Sequence, residues 1–391
     1  MTGINIIYIC YIEKCLGNRA LTNKLTFALN LFNSHMLSYL VPKNLNSNWN
    51  LGFIVGFVFV FQIMSGLMLT FYYIPGGMES FNSVIRVLTE VNMGWAVRYF
   101  HAQCVSFCFF FMFLHMLKGL WYSSKYLPWS WYSGMTIFVL SMAIAFLGYV
   151  LPNGQMSYWG ATVITNLFYW IPDFVIVLLG GYSVSVPTLQ RFYILHFILP
   201  FVLLGVVVVH IYYLHRSSST NPLSGVDSWY VSRFYPVIIF SDLKMLTMLF
   251  AALGVQLTYG IIPLFQGDVD NSIESNPLQT PLHIVPEWYL LTFYATLKLF
   301  PSKLAGLIAM AALLESLILI VESRAMSPII SCVHYHRIWT IISIPMIPAL
   351  YILGCLGRLS LNDGLMFIGI SAIFIILVSV TKLLDCARMR L

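Results

Sequence analysis

Eight long apolar stretches punctuate the chain, at about 52–73, 94–120, 134–151, 192–213, 246–263, 304–321, 338–357 and 365–380. Each is close to the roughly 20 residues that an α-helix needs to cross the hydrocarbon of a bilayer. Only a backbone that satisfies its own hydrogen bonds can cross there. The pattern therefore predicts an all-α polytopic membrane protein with eight transmembrane helices, the first four forming a bundle. Two connections are long. The segment 152–190 carries Trp159 and Trp170 among small residues and reads as helices lying on the membrane surface. The other is 264–303, and an even span count puts both on one side. Residues 22–40 read as an amphipathic surface helix at the end of an uncleaved N-terminal extension.

Composition agrees with the pattern. Of 391 residues, 59% are hydrophobic and 9% charged, against roughly 25% charge in a soluble domain. The formal charge of +6 does not point to nucleic acid, since no aromatic–basic binding motif accompanies it. The basic residues fall mainly in short loops. On the side holding both termini lie Lys14, Arg19, Lys24, Lys43, Lys118, Lys125, Arg216, Arg233, Lys244, Arg324, Arg337, Lys382, Arg388 and Arg390. The opposite side has Arg86, Arg98, Arg191, Lys298, Lys303 and Arg358. The split of 14 against 6 supports the even count and puts both termini on the negative side. Seven scattered cysteines argue against a disulfide framework. Cys104 and Cys108, four apart within an apolar run, read as packing residues. No Cys-x-x-Cys-His occurs, so a haem would not be covalently attached.

Four of the nine histidines carry the chemistry. His101 and His115 lie 14 apart in the second span, and His196 and His210 lie 14 apart in the fourth. Fourteen helical steps bring a side chain back to nearly the same face after a rise of about 21 Å. The second and fourth spans run in the same direction. His101 therefore meets His196 at one depth, and His115 meets His210 at the other. Two facing imidazoles can bind a haem iron from both sides. A lone intramembrane histidine is more often a hydrogen-bonded packing residue, but ionisable groups within spans are costly and usually functional. The repeated spacing favours two non-covalent b-type haems. Glycines repeat the period: Gly52 and Gly66 in the first span, Gly134 and Gly148 in the third. A missing side chain allows close approach, suited to the flat face of a porphyrin or to ordinary helix packing. Arg98, Lys118 and Arg191 stand near the histidines and would either pair with haem propionates or snorkel to the interface.

From about Trp49 to Val380 the chain resembles cytochrome b of the mitochondrial-type bc1 complex. The stretch 148–167, GYVLPNGQMSYWGATVITNL, is similar to that family's region between the third and fourth helices, 188–215 to its fourth helix, and Pro286-Glu287-Trp288-Tyr289 to its PEWY motif. The undivided chain and the 13 residues between His196 and His210 separate it from the b6 type. The resemblance implies a haem-binding domain over 46–225, after the extension 1–45, and a C-terminal domain carrying the PEWY loop over 226–391. It implies a ubiquinol-oxidising site, Qo, beside the bL haem of His101 and His196. There Glu287 would accept a proton, Tyr289 and Tyr294 would line the site, and Met156, Trp159 and Gly160 would form its other wall. It also implies a ubiquinone-reducing site, Qi, beside the bH haem of His115 and His210, with His215, Asp242, Ser219 and Asn221. Asp242 could instead cap a helix N-terminus.

The implied activity is that of respiratory complex III, the quinol–cytochrome c oxidoreductase of the Q cycle, passing electrons from bL to bH and contributing to proton motive force. Implied partners are the Rieske iron–sulfur protein, cytochrome c1, other complex III subunits, membrane lipid and a second copy in a homodimer, in the mitochondrial inner membrane with both termini on the matrix side. Thr292, Ser241 and Tyr235 depart from the family pattern, and the segment after Trp170 is short. A di-haem quinol-oxidising anchor of another respiratory enzyme is the alternative, but such anchors lack a PEWY-like loop. A transporter with no redox role would be colourless.

Overall fold

In a computed structural model, residues 26–27, 29–30, 32–122, 127–222, 230–325 and 341–388 are described. Lys14, Arg19, Lys24, Lys125, Arg337 and Arg390, on which part of the charge count rests, lie outside them, as does the beginning of the 22–40 segment.

Among the described residues, eight helices are long and apolar enough to span a membrane. They are α1 (Leu51–Thr70), α3 (Gly94–Trp121), α4 (Pro128–Val150), α7 (Val186–Ser217), α8 (Phe234–Tyr259), α10 (Lys303–Ala325), α11 (Met346–Arg358), whose span begins at Ile341, and α12 (Asp363–Arg388). The spans sit where the apolar runs predict, but several helices outrun them. Helix α7 begins six residues before the apolar run. Pro187 occupies its first turn, and Ser185 and Thr188 form a capping box there, which satisfies amide groups that would otherwise be unpaired. Helix α8 begins twelve residues before its apolar run, so Asp242 lies inside a helix and is not its cap. The predicted surface helices appear as α5 (Gln155–Thr165) and α6 (Pro172–Leu179). The N-terminal surface helix closes at Leu37 with a π turn over Asn33–Leu37, and the chain then turns into a strand.

Helix α2 (Gly77–Thr89) follows the first span and has no apolar run to announce it. Its short length and mixed polar face hide it from a search for spans. It buries Ser80, Ser83 and Val87, and Ser80 accepts a hydrogen bond from the Tyr73 hydroxyl at 3.1 Å. A short helix, α9 (Leu291–Lys298), follows the Pro286–Tyr289 motif.

The loops sort into two ends. At one, β1 (Leu40–Pro42) pairs antiparallel with β2 (Val231–Arg233). The N-terminal segment and the α7–α8 connection therefore share an end. At the other, Gly154 bridges to Glu274, Asn153 donates to Gly77 O at 3.0 Å, and Lys298 donates to Leu359 O at 2.7 Å. The α1–α3, α4–α7, α8–α10 and α11–α12 connections thus gather together, the grouping that eight spans require. Cys104 and Cys108 are buried free thiols, as packing residues should be.

Candidate cofactor and quinone sites

Helices α1, α3, α4 and α7 set the four histidines in two pairs. Ring centres of His101 and His196 lie 6.2 Å apart, and those of His115 and His210 lie 6.3 Å apart. A metal–imidazole bond of about 2 Å on each side of one ion places two ring centres roughly 6 Å apart. Both pairs fit a bis-imidazole iron centre.

Three of the four outer nitrogens are held. Ser65 already donates to Phe61 O at 2.8 Å, so its oxygen accepts from His101 Nδ1 at 2.9 Å. Ser133 repeats the device, donating to Trp129 O at 2.8 Å and accepting from His210 Nδ1 at 3.0 Å. His196 Nδ1 donates to Ile144 O at 2.9 Å. With Nδ1 protonated and engaged, Nε2 is left unprotonated and could ligate a metal. His115 Nδ1 is buried and finds no hydrogen-bond partner among the described residues.

The four period-14 glycines resolve onto the histidines. A Cβ on Gly66 would meet His101 Cε1 at 3.1 Å, one on Gly52 His115 Cε1 at 3.1 Å, and one on Gly134 His210 Cε1 at 3.2 Å; one on Gly148 would overlap the His196 ring. The clearance expected for a porphyrin face is, at the Cβ position, clearance for the imidazole edge. The serines were missed from sequence, although Ser65-Gly66 and Ser133-Gly134 repeat the same dipeptide.

The three basic residues divide. Arg98 and Lys118 are half-buried and pair with no carboxylate among the described residues. Lys118 Nζ lies 4.3 Å from the Trp49 ring centre. Both cations can receive an anionic propionate. Arg191 is exposed, and its Nη1 donates back to Pro187 O at 3.1 Å.

At the α5/α9 end, the Pro286–Tyr289 motif packs on α3. Tyr289 is buried, its ring 4.1 Å from and parallel to that of Phe109. Trp288 Nε1 donates to Ser106 Oγ at 3.0 Å, and the Tyr294 hydroxyl donates to Ile284 O at 3.0 Å. Glu287 is half-buried. Burial, then the charge of Asp268, raises its carboxyl from 4.5 to about 7, against the opposing pull of Arg358. Burial and Glu287 also keep the Tyr289 phenol un-ionised. Tyr149 lies within electrostatic reach of Glu287, and its buried hydroxyl has no partner among the described residues. Nothing in the local sequence marked it. Met156 is buried on α5, while the space beside Gly160 is open. The indole nitrogen of Trp159 is buried and unpartnered among the described residues.

At the opposite end, His215 lies against the N-terminal segment. Its ring stacks on Tyr39 with centres 4.2 Å apart, and Ser219 faces the Tyr39 hydroxyl. Asp242 and Asn221 are both buried. Asp242 Oδ1 accepts from Asn50 Nδ2 at 2.6 Å, and the Ser241 hydroxyl donates to Asn50 Oδ1 at 2.9 Å. Asn50 was not anticipated; it precedes α1 by one residue but is 192 positions from Asp242.

Fold and site together define a multi-pass helical membrane protein whose central bundle carries two stacked histidine pairs. Two family models match: Cytochrome b/b6/petB over residues 36–218, and Cytochrome b(C-terminal)/b6/petD over 274–377. Cytochrome b of Theileria parva is 54% identical over 93% of this chain and 100% of that one. Cytochrome b of Plasmodium falciparum is 46% identical over 78% and 80%. A solved chain from a hyperthermophilic respiratory Complex III superposes with a TM-score of 0.85 at 26% identity, covering 97% of this chain and 98% of that one. The chain belongs to the cytochrome b family.

Proposed function

We propose that the chain is the di-haem subunit of respiratory complex III, oxidising ubiquinol at one end of the membrane and reducing ubiquinone at the other. The observation that carries this is the pair of 6.2 and 6.3 Å histidine couples, one rise of about 21 Å apart, with three of the four outer nitrogens tied and a glycine facing each ring. His101 and His196 would hold the bL haem, and His115 and His210 the bH haem, with Arg98 and Lys118 as propionate partners. Haem bound at each pair supplies reversible one-electron transfer.

The chain's own residues handle position and protons. Ubiquinol at Qo must lose two protons as it loses two electrons. Glu287, with its carboxyl near neutrality, is matched to accept one of them. Tyr289, Tyr294 and the α5 wall of Met156 and Gly160 would shape that site. At Qi, His215 and Asp242 would flank ubiquinone and donate protons taken from the negative side, with Ser219 and Asn221 as polar contacts. One electron must leave at Qo to a separate acceptor, and the Rieske iron–sulfur protein with cytochrome c1 fits that need. The subunit would work as part of a homodimeric complex in the mitochondrial inner membrane, both termini on the matrix side. The family matches support a haem-binding part over 46–225 and a PEWY-bearing part over 226–391.

A redox titration of the purified complex, followed by reduced-minus-oxidised spectra, tests the proposal. Two b-type signals with separate midpoints are expected. His210→Ala should remove the one of higher potential. Charge transfer against the membrane field costs roughly 2.3 kcal/mol per 100 mV for a full crossing, so useful transfer toward the negative side needs the stronger acceptor there. A single signal in the wild-type complex would refute the two-centre scaffold.

A further inference from the structure

His35 is not one of the four histidines of the central bundle. It sits in the π turn Asn33–Leu37, 180 positions from His215, yet the two Nδ1 atoms are 2.9 Å apart. Their ring centres lie 5.1 Å apart and their planes differ by 13°. The excess over the nitrogen separation, about 2 Å, is what two ring radii add when the rings meet edge to edge in one plane. The pair is therefore an in-line N–H···N hydrogen bond, not a face-to-face stack. Tyr39 covers the face of His215 with ring centres 4.2 Å apart, which holds that ring in the plane of His35.

One proton must lie between the two Nδ1 atoms. If His35 donates it, His215 Nδ1 is the acceptor, and the His215 proton is on Nε2, free to be donated elsewhere. His35 is half-buried among exposed neighbours, so its far nitrogen is within reach of the aqueous side.

We propose that His35 and His215 form a two-imidazole relay that delivers a proton from the aqueous phase at the N-terminal end to the quinone reduced there. The inference rests on the assignment of the ubiquinone-reducing site to His215. A quinone oxygen that has gained an electron takes the proton from His215 Nε2; that N–H bond breaks and an O–H bond forms. His215 Nδ1 then takes the bridging proton from His35, and His35 Nε2 takes one from water. No further oxidant or reductant is needed, and once the quinol has left, proton exchange with water at the two Nε2 atoms, with the bridging proton passing back to His35, restores the starting tautomers. His35 touches no quinone in this scheme; it acts through His215.

The test uses the intact complex, with haem reduction by quinol and haem reoxidation by quinone followed separately, and proton uptake read by a pH-indicator dye. His35→Asn keeps an amide N–H that can hold the His215 tautomer but cannot relay. His35→Ala removes both. Both variants should keep normal haem spectra and normal reduction by quinol, yet slow reoxidation and proton uptake together by about a hundredfold, the scale of one lost acid–base group. Added imidazole should restore the His35→Ala complex. Wild-type reoxidation in His35→Asn, or no rescue of His35→Ala by imidazole, overturns the relay. His215→Ala separates the two levels. If it slows reoxidation while the His35 variants do not, only the relay fails; if it has no effect, the quinone-site assignment fails with it.

Discussion

At the scale of single residues, the chemistry depends on a few side chains whose surroundings alter their ordinary behaviour. Glu287 is the clearest. A carboxylate near 4.5 would be ionised at neutral pH and too weak a base to hold a quinol proton; burial and Asp268 bring it to about 7. It accepts a proton only when ionised, so the ionised fraction, and with it the rate of quinol oxidation, should rise as pH climbs through about 7. Glu287→Gln should lower that rate by about a hundredfold and flatten the rise, with haem spectra unchanged. Steady-state quinol oxidation between pH 5.5 and 8.5 checks it; a wild-type pH profile in the variant would remove Glu287 from the reaction. The motif made this residue legible in the sequence. Its partners Asp268, Arg358 and Tyr149 were not, because each comes from a different segment.

At the scale of elements, helices α3 and α7 each bring two histidines onto one stripe by their period, and α1 and α4 respectively answer with glycines at the same period. The fit is tightest at Gly148, where an added Cβ would overlap the His196 ring. Gly148→Val should therefore displace that imidazole and cut occupancy of the His101–His196 haem by about tenfold or more, while the His115–His210 signal persists. Pyridine haemochrome assay with difference spectra reads both; loss of both signals, or of neither, would contradict the one-glycine-one-ring pairing. Helix ends behave differently from helix faces. The capping box placed the start of α7 outside its apolar run, and the early start of α8 carried Asp242 into a helix, where Asn50 from the base of α1 is its hydrogen-bond partner.

For the molecule as a whole, the pairing of β1 with β2 gathers the matching loops at one end, and the proposed topology puts that end and both termini on the negative side. Leu278, in the α8–α10 connection, is 96% exposed, and Lys43 is also exposed. Single cysteines at these two positions should label from opposite faces of sealed inner-membrane vesicles with a membrane-impermeant maleimide, Leu278→Cys from the positive side and Lys43→Cys from the negative. Labelling of both from one face would break the topology.

What the sequence determined by itself is whatever a helix repeats locally. Apolar length set the spans, the 14-residue period set which histidines share a face, and span parity set which of them share a depth. Tertiary structure alone decided the contacts between distant segments. Ser65 and Ser133 hold the outer nitrogens of His101 and His210, Asn50 meets Asp242, Tyr149 approaches Glu287, and His35 meets His215 in line. The physical reason is range. Helical periodicity follows from backbone hydrogen bonds four residues apart, whereas a bond between residues 180 or 192 positions apart exists only once the helices have packed and the loops have closed.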